Sequence, residues 1–224
     1  MDKRITVAID GPAGAGKSTL ARRLAQRLGF LYIDTGAMYR AVALWAIRLN
    51  VALSDMHRME QLAEQAEIDF VPGDGRILLN GEDVTEAIRE PGLGEAASKI
   101  SPIPAVRRAL VRRQRALGLS CSIVMEGRDI GTIVFPEANV KIFLDAAPQA
   151  RAARRAQELD LPTHEVAADL EQRDHRDRTR PEAPLVQAPD AVYLDTSDLS
   201  IDEVEEKLLR IVRDRTTNGK ERTH

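Results

Sequence analysis

A five-stranded parallel sheet with helices on both faces is the fold class that this 224-residue sequence predicts. Residues 5–9 form a β-branched run that ends at Asp10; Gly-rich sequence follows, and then Leu20, Leu24 and Leu28 at four-residue spacing, which reads as strand, loop and helix. Four more short apolar runs, at residues 31–33, 122–125, 141–144 and 191–194, end near acidic residues and have helix-like segments between most of them. Residues 68–84 depart from that alternation. There Pro72-Gly73-Asp74-Gly75 and Asn80-Gly81 separate runs at 68–71, 76–79 and 82–84, the pattern of a small antiparallel insert.

The elements group into three parts. Residues 1–36, 118–150 and 181–224 are expected to make the core domain, and residues 37–117 a lobe that includes the insert and helical stretches at 37–49 and 105–117. Residues 151–180, highly charged with few large apolar side chains, are expected as a short lid that adds little core, with residues 173–180 disordered or open until anions close it. Apolar positions Ile201, Val204, Leu208 and Ile211 predict a closing amphipathic helix, and residues 216–224 a frayed polar tail. Sites in such sheets lie beyond the carboxyl ends of the strands, so Asp10, Asp34, residues 126–129 and Asp145 are expected to face one crevice.

Bulk composition excludes more than it selects. The chain is 43% hydrophobic and 30% charged with a net charge of -3, an ordinary globular balance that gives no reason to expect a nucleic-acid partner. A single cysteine, Cys121, cannot form an internal disulfide, and the expected compartment is the cytoplasm. The most apolar stretch, residues 41–53, is interrupted by Arg48 and Asn50 and is too short for a membrane span.

Gly11-Pro12-Ala13-Gly14-Ala15-Gly16-Lys17-Ser18 fits G-x-x-x-x-G-K-[ST] between a predicted strand and a predicted helix. Its amides and the helix N-terminus suit nucleotide phosphates, Lys17 adds a full charge, Ser18 offers a hydroxyl to Mg²⁺, and Thr19 completes the expected ATP-binding set. No Asn-Lys-x-Asp occurs and no Asp is followed three residues later by Gly, which argues against a GTPase. Arginine fits an anionic acceptor: Arg40 and Arg128 sit near strand ends, and Arg173, Arg176, Arg178 and Arg180 cluster in the lid. Arg154 and Arg155 read as solvated charge. A phosphate acceptor is already deprotonated near neutral pH, so no general base is required, and His57, His164, His175 and His224 read as surface residues.

Taken together these residues resemble the bacterial cytidylate kinases. The resemblance runs through residues 9–17, Asp34-Thr35-Gly36-Ala37-Met38-Tyr39-Arg40, residues 127–136, residues 141–146 and Arg173-Asp174-His175-Arg176-Asp177-Arg178. It implies transfer of the γ-phosphoryl group of ATP to CMP or dCMP with Mg²⁺, by a monomer. It also implies cytosine contacts at Ser98, Arg107 and Asp129, sugar contacts at Arg173 and Asp177, and phosphate contacts at Thr35, Arg40 and Arg128, with Arg180 near the acceptor. Lys17, Arg128, Arg173, Arg176 and Arg178 are the expected catalytic set. Thr35 stands where serine is common in the family, and the lid looks shorter than in some relatives. The alternatives are a kinase for UMP or AMP, more distantly one for a sugar or shikimate, and a nucleotide-binding protein without turnover.

Overall fold

The computed structural model describes residues 4–73 and 75–217; Asp74 of the expected turn and residues 218–224 of the expected tail, with His224, lie outside them. The chain runs β1 (Thr6–Asp10), α1 (Lys17–Leu28), β2 (Leu31–Asp34), α2 (Thr35–Arg48) and α3 (Met56–Gln65). It continues with β3 (Ile68–Phe70), β4 (Ile77–Leu79), β5 (Glu82–Asp83), α4 (Leu93–Ile100), α5 (Pro104–Ser120), β6 (Ile123–Gly127) and β7 (Val140–Asp145). Last come α6 (Pro148–Leu159), α7 (Thr163–Thr179), β8 (Val192–Asp195) and α8 (Ile201–Thr217).

All five expected core strands pair in parallel, in the order β2-β6-β1-β7-β8, and β3-β4-β5 form the separate antiparallel sheet. On one face Leu20 and Leu24 of α1 and Val204, Leu208 and Val212 of α8 pack on Val7, Ile9, Val124 and Ile142. On the other, Ile33, Ile123 and Met125 meet Val111 and Leu117 of α5 and the single π-helical turn at Ile130–Val134. A third buried cluster, from Ala37 to Leu110, includes Met38, Met59, Ile88 and Ile100 and spans α2 to α5 with the small sheet.

Two elements depart from expectation. Residues 151–180 are helical, in α6 and α7, and bury Arg151, Asp174 and Asp177 along with Ala152, Ala156 and Val166. The segment is joined to the core largely through buried ion pairs, which leave no mark on an apolar pattern. Asp10 does not open on the crevice: it is 5% exposed, and its two oxygens accept the Ile130 and Gly131 amides, each at 2.8 Å. It therefore anchors the π-helical turn to β1. Burial is the largest influence on this carboxyl and pushes its pKa up to about 6, against the two amide bonds that pull it down.

Asp10→Ala strands two buried amides, and the expected loss of stability is roughly 1–3 kcal/mol net of the relieved carboxylate desolvation. Urea unfolding of the two proteins measures it, and an unchanged midpoint would mean that other groups hold the turn.

Candidate active site

The Gly-rich loop lies against β7 so closely that a Cβ on Gly11 would stand 1.9 Å from the Leu144 carbonyl oxygen; with φ at +152° no other residue fits there without distortion. Gly16, in the left-handed region at φ 83°, turns the chain into α1, whose first residue is Lys17. Lys17 is 5% exposed, and its Nζ donates to the Pro12 carbonyl oxygen at 2.6 Å, folding the side chain back over the loop. Burial, and then the charge of Arg128, lowers its pKa to about 7.

Ser18, Asp34, Arg40, Glu126, Arg128, Arg155 and Arg173 line a polar cavity with Lys17 at the strand ends. Asp34 Oδ1 caps α2 through the Ala37 amide at 3.0 Å, and its Oδ2 accepts from Arg40 Nη2 at 2.8 Å. Tyr32 Oη donates to Glu126 Oε1 at 2.6 Å; burial, followed by the nearby Asp34, raises the Glu126 carboxyl above its ordinary range. Arg173 is pushed the other way, down to about 10, by burial and by its neighbour Arg128. Its Nε is buried without a hydrogen-bond partner among the described residues. Cations are crowded here, and an anion is what would relieve them.

A second cavity adjoins the first and shares Gly36, Gly127, Arg128 and Arg173 with it. Its lining also includes Thr35 and Tyr39 of α2, Ser98 and Ser101 near the end of α4, and Arg107 of α5. Asp129, Asp177 and Arg180 complete it. Asp129 is paired with Arg107 and accepts from Arg180 Nη2 at 3.2 Å, while Asp177 Oδ2 accepts from Arg128 Nε at 2.7 Å. Ser98 Oγ is buried and has no hydrogen-bond partner among the described residues, so a polar group is left aimed at this space. Gly127 allows close packing at this junction: a Cβ there would lie 2.7 Å from Thr35 Oγ1 and from Ile130 Cδ1.

Residues 7–214 match the family model described as cytidylate kinase. A cytidylate kinase of Solibacter usitatus is 62% identical over 226 residues, covering 98% of this chain and 97% of the relative, and one of Pelotomaculum thermopropionicum is 47% identical with 96% of each covered. The chain belongs to the cytidylate kinase family. Among solved structures a gluconokinase from Sinorhizobium meliloti aligns over 99% of this chain with a TM-score of 0.51 at 13% identity, a likeness of fold alone.

The residues that the cytidylate kinase pattern singled out divide by position. Thr35, Arg40, Ser98, Arg107, Arg128, Asp129, Arg173, Asp177 and Arg180 all line one or both cavities. Thr35 Oγ1 donates to the Glu126 carbonyl oxygen at 2.7 Å, leaving its lone pairs to accept. Arg176 and Arg178 line neither: Arg178 is exposed, and Arg176 is half-buried on the flank facing Glu95. Density of arginine suggested all four, whereas helix geometry selects Arg173, Asp177 and Arg180, spaced i, i+4 and i+7, and turns Arg178 about 140° away. Of the loop residues, the Ala13 amide is engaged by Asp174 Oδ1 at 3.3 Å. Tyr39 and Ser101 went unread, although each follows an expected contact by one turn. Arg155, read as solvated, lines the Lys17 cavity, and Arg154 donates to Thr196; nothing in a charged run distinguishes them. His57, His164 and His175 are exposed.

Because free Lys17 is largely neutral above about pH 7, a polyphosphate that favours its ammonium form should bind with proton uptake, and affinity should fall as pH rises from about 7 to 9. Calorimetry with a non-hydrolysable ATP analogue in buffers of different ionisation enthalpy should show the uptake, and Lys17→Met should abolish it.

Proposed function

We propose that this protein transfers the γ-phosphoryl group of ATP to CMP or dCMP, giving CDP or dCDP and ADP. The observation that carries the reading is the joining of two cavities at Arg128 and Arg173. One lies beside Lys17 at the Gly-rich loop, and the other holds Ser98, Arg107 and Asp129. The residues 11–19 cradle the ATP phosphates from one end of this cleft, and the acceptor phosphate enters from the other, so the reacting groups meet where the two arginines are shared.

Charge neutralisation does the chemical work. Lys17, Arg128 and Arg173 offset the negative charge of donor and acceptor as they approach, with Arg40 and Thr35 seating the acceptor phosphate. Its second pKa near 6 leaves the attacking oxygen ionised at neutral pH, so the reading requires no general base. Arg173 and Asp177 hold the sugar. Cytosine presents an amino donor and two acceptors, which Asp129, Arg107 and the unpaired Ser98 hydroxyl complement. Each Asp129 oxygen retains a lone pair beyond its arginine bond. Uracil reverses the pattern at two of those positions and would leave buried groups unmatched.

The Ser18 hydroxyl with the Asp34 and Glu126 carboxylates in one cavity fits a hard, oxygen-seeking cation that keeps much of its water. Mg²⁺ would be held at Ser18, with the two carboxylates ordering its water shell, and would supply further neutralisation of the donor phosphates. On this reading residues 37–117 are the acceptor lobe, residues 151–180 the lid, and the protein a cytoplasmic monomer. No helix among the described residues is long and apolar enough to cross a membrane.

A coupled assay with ATP, Mg²⁺ and a panel of CMP, dCMP, UMP, AMP and shikimate tests the reaction; turnover of UMP or AMP in preference to both cytidylates would overturn it. Lys17→Ala should lose nearly all transfer, and EDTA should stop the reaction. Asp129→Ala should narrow the CMP to UMP ratio in kcat/KM, forfeiting on the order of 1–3 kcal/mol of discrimination. Arg40→Ala should weaken both acceptors alike and leave that ratio almost unchanged. Equal losses on CMP and UMP in Asp129→Ala would remove the base-reading role.

A further inference from the structure

The Gly-rich loop is gripped from outside by the helices of the lid. Asp174 of α7 accepts the Ala13 amide through Oδ1 at 3.3 Å and is paired through Oδ2 with Arg151 Nη1 of α6. The same Nη1 donates to the Ala13 carbonyl oxygen at 3.0 Å, and Arg151 Nε donates to the Ala146 carbonyl oxygen just beyond β7, also at 3.0 Å. Two consecutive peptide planes of the loop are thus fixed by side chains some 140–160 residues away. Ala13 and Arg151 are each 6% exposed and Asp174 8%, so water does not compete for these bonds. The next residue is pressed on the same helices: a Cβ on Gly14 would lie 3.2 Å from Arg151 Cβ and from its carbonyl oxygen, and 3.5 Å from Leu170 Cδ1.

Asp174 is also flanked on α7 by acceptor-side residues. Arg173 precedes it, and Asp177 and Arg180 follow within two turns; these three line the acceptor cavity, where Asp177 meets Arg128 and Arg180 meets Asp129. One helix therefore holds the donor loop through Asp174 and the acceptor cavity through its neighbours. Arg180 is already held by Asp129, whereas Arg173 keeps a buried Nε without a partner among the described residues, so an acceptor anion beside Arg173 should settle α7, and a settled α7 sets the Ala13 and Gly14 backbone that leads into the phosphate cradle.

We propose that Asp174 with Arg151 is a positioning pair that couples the two substrates: the acceptor nucleotide tightens the grip on ATP, and ATP on the acceptor, through the Ala13 backbone. The two states are α7 docked on the loop, as seen here, and α7 withdrawn with the Asp174 bonds to the loop broken. Whichever ligand arrives first bears the cost of docking, and the gain to the second is reciprocal. The inference rests on the proposed acceptor being CMP. It differs from a purely structural role, in which loss of the pair would weaken both ligands without changing how each affects the other.

Calorimetry with a non-hydrolysable ATP analogue, alone and at saturating CMP, measures the coupling factor. In the unaltered protein CMP should tighten the analogue by about fivefold or more, within the usual range of such couplings. In Asp174→Asn the factor should fall toward one, whatever weakening of CMP alone accompanies the loss of the docking bonds. Arg151→Lys, which keeps the charge and loses the bridging geometry, should lie between, and Gln172→Ala on the exposed side of α7 should keep the full factor. A factor retained in Asp174→Asn, or absent from the unaltered protein when both ligands bind, overturns the inference alone. Binding of the ATP analogue without binding of CMP overturns the proposed acceptor and the inference together. Hydrogen exchange needs no variant: CMP alone should slow exchange of amides 13–16, and unchanged exchange there would refute the coupling.

Discussion

Compensation of buried arginine charge is the constraint on which the rest of this structure depends. The cleft gathers guanidinium groups from several elements, and almost every one is matched to a carboxylate from another part of the chain: Arg40 to Asp34, Arg107 and Arg180 to Asp129, Arg128 to Asp177, and Arg151 to Asp174. Removing one partner from such a pair leaves an uncompensated charge in a poorly solvated place, which is far more costly than the pair is favourable. The pairs therefore hold the lobe, the strand ends and the lid in one arrangement. Arg173 is the exception, with a buried Nε lacking a partner among the described residues and a pKa pushed down to about 10. Among the described residues that line the cleft, the buried side-chain atoms left without a partner are Arg173 Nε, where phosphate is proposed to sit, and Ser98 Oγ, where the base is.

The parallel sheet makes this gathering possible. β1 and β6 lie side by side with Asp10 opposite Gly127, so the Gly-rich loop after β1 and the Arg128-Asp129 pair after β6 leave the sheet together. Glycine is required at both exits, by the Leu144 carbonyl against Gly11 and by Thr35 and Ile130 against Gly127. Asp10 then turns the chain after β6 by binding two of its amides, which fixes where Arg128 and Asp129 point. A residue expected to face the ligand thus acts one step behind it.

Much of this was legible in the sequence because it rests on local signals. β-branched runs ending in acid gave the five strands, Asn80-Gly81 and the glycines before it gave the small sheet, and Lys17 with its loop gave the phosphate site. The lid was not legible in the same way. Its helices carry few large apolar residues, so hydrophobic periodicity could not register α6 and α7 or say which face of α7 turns inward. That choice is made by Asp174 and Asp177 finding partners remote in sequence, Asp174 the Ala13 amide and Asp177 the Arg128 guanidinium. Arg155 shows the same limit: it lines the Lys17 cavity, yet nothing in Ala153-Arg154-Arg155-Ala156 sets it apart from Arg154 beside it. The antiparallel insert and the buried cluster from Ala37 to Leu110 were easier, since both are built on apolar burial.

Asp129 ties substrate choice to the geometry of the lid. It accepts from Arg107 on α5 and from Arg180 at the end of α7, so the carboxylate proposed to read the cytosine amino group also secures the last turn of the lid to the core. A base that donates to Asp129 adds to this network, whereas one that presents an acceptor there places two lone-pair-bearing groups together and competes with Arg180 for geometry. Arg128, proposed to meet the phosphate, repeats the pattern, since it is held by Asp177 on the same helix. On the proposed roles, base and phosphate are both coupled to residues of α7 spaced one turn apart. A mismatched base would be rejected by weaker contact and also by a less securely seated lid, so that poor recognition at Asp129 is felt at Arg173, where the phosphoryl group is proposed to pass.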